Sequence, residues 1–261
     1  MLAFTASPAL AGKALHYQYQ DQDGNSMDYW FSRQGIRISS EEASERTIIY
    51  QPDRDAVISL NPNSKEAVIL EREAVKNLIQ KINQILKQMR ALPPKQRQMM
   101  KQAMGDIATD IKDVEDFEPP ELVQQQPVKW RNMSATKGVL VTGSETAGEA
   151  IILEDPPIKV ADTERQAFKN FQDFLVDILR ISDSVSQSLD ITSALSRAEN
   201  IIGDKQFRLA EFRSGNRVIS LKTWERKQVA RNFFDVPEDY STRKPSFRDS
   251  AIRNGTSAND S

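Results

Sequence analysis

The chain carries a single histidine and no cysteine among its 261 residues, so few side chains could do chemistry. His16 could act as a general base only beside a serine on a sharp turn and an orienting acid. Alternation places it on the wet face of a strand, no such serine motif accompanies it, and it reads as a surface residue. Without cysteine there is no thiolate nucleophile, disulfide or thiolate metal site, and one histidine is too few for a zinc centre. Asp110, Asp113, Glu115, Asp116 and Glu118 could offer oxygens to calcium, but they lack the spaced acidic loop that wraps one ion and read as a solvated linker. Gly138, Gly143 and Gly148 are followed by no Lys-Ser/Thr pair and open no helix, so they form no phosphate loop. No catalytic residue, metal ligand or cofactor is predicted, and the expectation is a protein that is not an enzyme.

The apolar residues offer a different chemistry. Met89, Met99, Met100 and Met104 cluster in sequence, and flexible, polarisable methionine suits surfaces that repack around apolar ligands, as well as ordinary gap-filling. Tyr17, Tyr29, Phe31, Trp130 and Trp224 face the same two roles: core of a half-closed sheet, or lining of an unfilled interior. With Ile82, Met89, Met100 and Met104 they are the candidate ligand-binding residues.

Two kinds of element must position them. Leu15, Tyr17 and Tyr19 alternate with His16, Gln18 and Gln20, and Met27, Tyr29 and Phe31 share one face of the next run, across an Asp23-Gly24 turn. Runs at Gly35 to Ser39, Arg46 to Gln51, Ala56 to Leu60 and Glu66 to Leu70 extend this into an antiparallel meander of up to six strands. From Arg72 the period becomes helical: Val75, Leu78, Ile79, Ile82, Ile85, Leu86 and Met89 fall on one face. Leu92-Pro93-Pro94 breaks that helix. A second follows, with Met100, Ala103, Met104, Ile107 and Ile111 on its apolar side.

Residues 113–126 read as an acidic, proline-containing loop. Strands resume at Val128 to Ser134, Gly138 to Gly143 and Glu149 to Leu153. Thr163-Glu164-Arg165-Gln166 has the form of a capping box ahead of a helix facing inward with Phe168, Phe171, Leu175, Ile178 and Leu179. A shorter helix from about Ile191 to Ile202, ended at Gly203, and strands over Gln206 to Arg213 and Arg217 to Trp224, with a last strand towards Phe234, complete the folded part. Neither early helix can stand alone, and the nearest apolar surface is the inner face of the meander. The predicted class is α+β: a curved antiparallel sheet, an incomplete barrel, covered by amphipathic helices.

A net charge of −2 gives no basic surface, so nucleic acid is not an expected partner. No run approaches the roughly 20 apolar residues of a membrane helix. Residues 1–11 resemble the end of a signal peptide closed by Ala9-Leu10-Ala11. Residues 12–240 read as a single domain, and 241–261 as a polar, disordered tail.

The export-like start, the meander from Tyr17 to Leu70, the segment Leu92-Pro93-Pro94-Lys95-Gln96-Arg97-Gln98-Met99-Met100 and the closing Phe234-Asp235-Val236-Pro237-Glu238-Asp239-Tyr240 resemble an uncharacterised family of bacterial periplasmic domains. That family is similar in turn to the lipoprotein carriers LolA and LolB, in which helices lid an apolar cavity over an incomplete barrel. The resemblance implies periplasmic location and this fold, and brings no catalytic residues. The functional expectation is a non-catalytic periplasmic protein that binds a lipid-like ligand or a lipoprotein acyl chain. The alternative is an envelope protein-interaction or structural module with a protein partner and no small-molecule ligand.

Overall fold

The first turn shows how local chemistry sets the fold. The Asp21 carboxylate accepts hydrogen bonds from the backbone N–H groups of Asp23 and Asn25, both at 2.9 Å, while Gly24 takes a φ of +90°. The turn reverses β1 (Leu10–Asp21) into β2 (Ser26–Ser32), pairing Tyr17 with Tyr29 and Leu15 with Phe31. The meander continues antiparallel through β3 (Gly35–Ser40), β4 (Thr47–Gln51), β5 (Ala56–Asn61) and β6 (Glu66–Glu71). These features come from a computed structural model that describes residues 10–40, 47–96, 121–142, 145–179 and 203–244.

After α1 (Arg72–Ala91), a second set of strands forms: β7 (Glu121–Trp130), β8 (Met133–Thr142) and β9 (Glu145–Leu153). Helix α2 (Asp162–Leu179) follows, and a 3-10 segment, Gly203–Arg208, leads into β10 (Leu209–Ser214) and the long β11 (Arg217–Ala230). β11 lies against β1, with Tyr17 opposite Trp224, and so joins the two sets. The short β12 (Ser241–Arg243) adds in parallel to β6. The result is one twelve-stranded sheet in the order β12-β6-β5-β4-β3-β2-β1-β11-β10-β9-β8-β7, open because β12 and β7 end its two sides.

This overturns the α+β expectation. The described part of the chain is nearly all sheet, with α1, α2 and the 3-10 segment its three helices, instead of a sheet covered by a helical layer. The discrepancy arises in the second half, where strands run longer than their alternation suggests. Residues 124–126 lie inside β7 at a register shift, with Gln124 at a φ of +51°, and this bulge breaks the period of two. Val128 to Ser134 is two strands, not one: Arg131 and Asn132, at φ of +43° and +66°, make a hairpin turn inside it. β11 ends at Ala230, four residues short of Phe234. The predicted helices over Met100 to Ile111 and Ile191 to Ile202, and most of the acidic loop, lie outside the described residues.

Both faces of the sheet are buried in places. The inner face holds the main core, where Phe168, Phe171, Phe174, Leu175 and Ile178 of α2 meet Tyr17, Tyr29, Phe31, Ile36, Tyr50 and Val57. The outer face holds a smaller core in which Phe233, Phe234, Val236 and Tyr240 lie over Ala14, Ile49, Ile58, Leu60, Ala67 and Val229. Ser241–Arg243, the first residues of the predicted tail, pair with β6, and residues 245–261 lie outside the described residues. The Arg37 guanidinium donates to the Phe233 carbonyl at 2.9 Å, and the Gln51 amide to the Phe234 carbonyl at 2.9 Å.

Gly35 makes this approach possible, because a Cβ there would lie 2.6 Å from the Tyr50 carbonyl oxygen and 3.1 Å from the Phe234 ring. Gly35→Ala should cost about 1–3 kcal/mol by overpacking. Faster limited proteolysis across residues 231–244 is the expected readout, and an unchanged cleavage rate would contradict this role. A second prediction concerns Tyr50, whose hydroxyl donates to Asp55 at 3.0 Å. Burial first, and then the Asp55 carboxylate, push its pKa up from 10.0 to about 12. In the unfolded chain this phenol loses its proton at lower pH than in the folded one, so its contribution to stability is intact below pH 10.0 and lost as pH rises towards about 12. Tyr50→Phe should flatten the fall in stability across that window when denaturant midpoints are followed against pH.

Candidate functional site

α2 is placed by charge at its start. Ala161 is the residue before the helix, and its backbone N–H donates to Glu164 Oε2 at 2.8 Å. This is one half of a capping box, set two residues earlier than the sequence pattern suggests. The same carboxylate takes a fork from Arg226 of β11, Nη1 to Oε1 at 2.7 Å and Nη2 to Oε2 at 2.9 Å, and Nη2 also donates to the Lys159 carbonyl at 2.8 Å. Glu164 is 4% exposed, so both oxygens need these partners.

With Glu164 turned to the sheet, helical geometry sends Phe168 inward, and Arg165, Gln166, Lys169 and Asp173 outward. Phe168 lies 5.5 Å from Phe31 and 5.2 Å from Phe207, ring centroid to ring centroid. Phe207 is brought there by the 3-10 segment, which the inner face holds directly: the Tyr17 hydroxyl donates to the Phe207 carbonyl and the Tyr19 hydroxyl to the Leu209 carbonyl, both at 3.0 Å. Burial keeps the Tyr17 proton on, raising its pKa well above the ordinary value; the Glu164 charge adds to this, while Arg165 and Arg226 oppose it.

Between α2 and Phe207 lies a half-open cavity of about 480 Å³, lined among the described residues by Asp162, Arg165, Gln166, Phe168, Lys169, Gln172, Asp173 and Phe207. Phe168 and Phe207 lie at its base, 5% and 1% exposed, and its accessible wall is polar and charged. Lys169 is neutralised by Asp173 at 2.8 Å. The Arg165 guanidinium instead stands 5.9 Å above the centre of the Phe207 ring. This is the size of small-molecule sites, which combine apolar walls with a few polar groups.

The predicted ligand-binding residues are only partly brought together. Tyr17, Tyr29, Phe31 and Trp224 share the inner face on three adjacent strands. Phe31 is 6.0 Å from Tyr17 and 4.9 Å from Phe207, and Tyr17 and Phe31 are each 1% exposed, so these rings pack on one another beneath the cavity floor. Trp130 lies at the far edge, at the end of β7, with the Arg131 guanidinium 4.5 Å from its ring. Ile82 and Met89 belong to α1, with side chains that are not described; Met100 and Met104 lie outside the described residues.

Phe207, Arg165 and Gln166 carried no signal as site residues. Phe207 was predicted as part of a strand, and the two polar residues look like any solvated helix face.

His16 is not the surface residue that alternation implies. It is 3% exposed, stacked on Trp30 at 3.9 Å, with Nε2 bonded to Asp28 at 2.6 Å and Nδ1 3.9 Å from Glu225. The cover over the outer face accounts for this, since Phe233 packs edge-on against Trp30 at 5.0 Å. A carboxylate, not a nucleophile, faces the free nitrogen. Among the described residues no group of three histidine or acidic side chains is placed to hold a metal ion, and no helix is long and apolar enough to cross a membrane.

No protein-family model matches this chain, and no curated protein matches it. The site is therefore characterised by its own geometry.

Glu164→Ala should destabilise the protein by about 2 kcal/mol, because it strips Arg226 and the Ala161 N–H of their acceptor together. The double replacement Glu164→Leu with Arg226→Met should recover part of that loss in urea unfolding. Additive losses in the two single variants and the double would show that the groups are not coupled.

Proposed function

We propose that this protein is a non-catalytic binding protein of the bacterial periplasm that holds a lipid-like or acyl ligand in the cavity between α2 and Phe207. The observation that carries the reading is the cavity itself, about 480 Å³ beside α2, with Phe168 and Phe207 at its base and a charged rim. Each stretch of roughly 200 Å² of acyl-chain surface removed from water there would be worth about 5 kcal/mol before ordering costs, at about 25 cal/mol per Å². That corresponds to a dissociation constant of about 0.2 mM at best, weak and reversible binding suited to loading and release. The periplasmic setting is supported by the export-like start and by the family motifs in the sequence. The first turns of α1 add apolar surface through the buried Val75 and the half-buried Leu78 and Ile79.

The protein-partner reading is less well supported by the sheet. Partners commonly add a strand to an open edge, and β7 is built against that. It carries a bulge, a proline at 127 with no N–H to offer and the exposed Lys129, all features that discourage edge pairing. At the other side, β12 occupies the edge of β6 and is only three residues long.

Gln166 is an exposed rim residue bonded to Asn170 at 2.8 Å, so Gln166→Trp fills the cavity from outside without touching the core. Displacement of a fluorescent long-chain fatty acid should show affinity reduced about tenfold, which is about 1.4 kcal/mol. Lipid extraction of protein purified from its own cells is the complementary test. Absence of both acyl lipid in the extract and fatty-acid binding in solution would end the proposal.

A further inference from the structure

We propose that His16 is a proton-operated clasp on the outer face: a second proton, taken at Nδ1, turns Glu225 from Lys227 to the imidazole and tightens the covering segment from Phe233 to Tyr240. The inference is independent of the cavity.

Nε2 lies 2.6 Å from Asp28 Oδ1, so Nε2 carries a proton, because a bare ring nitrogen and a carboxylate oxygen repel at that distance. Nδ1 is then the position left to gain or lose one. It is buried without a hydrogen-bond partner, and Glu225 Oε1 stands 3.9 Å away. Glu225 is 48% exposed and bonds Lys227 at 2.7 Å, so its carboxylate has room to turn. With Nδ1 bare, two acceptors face each other and stay apart. With a proton there, the same pair closes to a charge-assisted hydrogen bond of about 2.7–2.9 Å. The imidazolium then ties β2 to β11 across β1, through Asp28 on one side and Glu225 on the other. Gln18 shares the Asp28 oxygen at 3.4 Å. Further charged groups around the ring are Lys227, 5.9 Å from the centre of Trp30, and Arg37, which lies over Phe233 at 4.9 Å.

The effect reaches the covering segment through two rings. His16 is stacked on Trp30 at 3.9 Å, and Phe233 meets Trp30 edge-on at 5.0 Å. A cationic ring is attracted to an indole face, so the proton strengthens the His16–Trp30 stack and fixes the surface on which Phe233 rests. If the segment lifts, water reaches the stack and screens that attraction. The closed arrangement therefore favours the second proton: lowering the pH tightens it and raising the pH loosens it. With one histidine and no cysteine in the chain, His16 is the one side chain of a type that ordinarily changes charge between pH 5 and 8.

The full chain is digested by a broad-specificity protease at about pH 5.5 and about pH 8, and cleavage within residues 231–244 is followed. Each rate is divided by that of a free peptide of the same sequence at the same pH. Normalised cleavage should be faster at the higher pH by about threefold. Glu225→Gln keeps the His16–Asp28 pair and changes a surface side chain, so it should fold as the parent does and bring the ratio near one. His16→Gln should do the same. Ring-nitrogen NMR of the single histidine, on the parent, reports whether the second proton is gained. An imidazole that stays neutral down to about pH 5.5 would overturn the inference, as would one that gains its proton while the cleavage ratio stays near one. A threefold ratio that survives Glu225→Gln would also overturn it, because the proton would then act without the carboxylate.

Discussion

Two arginines, one on β11 and one at the start of α1, fix α2, and its position determines the packing of the inner face. Arg226 grips Glu164 near the start of the helix. Arg72, the first residue of α1, reaches Asp177 at 3.2 Å near the end, donates to the Asn170 carbonyl, pairs with Asp55 at 2.8 Å and lies 4.8 Å from the centre of the Phe174 ring. A carboxylate as buried as Glu164 is costly to desolvate, and the cost is offset only when its oxygens are fully occupied, as they are here. Such a contact tolerates little rotation of the helix. A turn of one residue, 100°, would take Phe168, Phe171 and Phe174 off the sheet and leave Glu164 without its fork.

An open sheet of twelve strands is longer than most twisted sheets sustain without closing or splitting. Here it is stabilised by being covered differently on its two faces. The inner face is packed by α2 and the 3-10 segment, and the outer face, over β1, β4, β5, β6 and β11, by the chain from Phe233 to Tyr240. That outer cover changes the meaning of the residues beneath it. His16 and Trp30 lie on the face that alternation marks as wet, yet they stack on each other under Phe233. The stretch from Phe233 to Tyr240 is thus a structural strap, and the carbonyls of Phe233 and Phe234 are the groups to which Arg37 and Gln51 donate.

How much of this was legible in the sequence depended on whether local chemistry or distant packing decided each element. The meander from β2 to β6 follows its alternation and turn residues to within a residue or two, because neighbouring strands pair locally through the short turns at 33–34, 52–55 and 62–65. α1 and α2 follow from their apolar stripes. The Arg131-Asn132 turn was invisible because its two positive φ values fall on an arginine and an asparagine, without the glycine that advertises such turns. The half-box on Ala161 was missed because alanine has no capping side chain, so the pattern pointed to Thr163. The burial of His16 and the placing of Phe207 depend on segments far away in sequence, which no local period encodes.

The same packing explains why the candidate site lies beside α2 instead of between sheet and helix, where the aromatic residues first pointed. Tyr17, Tyr19, Tyr29 and Phe31 fill the inner face with rings that touch one another and Phe168 and Phe207. Each hydroxyl of Tyr17 and Tyr19 is already given to the backbone of the segment above it. Opening that layer for an acyl chain would separate the rings and leave two buried hydroxyls without acceptors, about 1–3 kcal/mol each. Phe168 and Phe207 are themselves 5% and 1% exposed, so they close this layer and the cavity lies outside them, between the polar side chains of α2. The rings proposed as ligand contacts thus act one layer down, as the rigid support that holds the floor of the site in place.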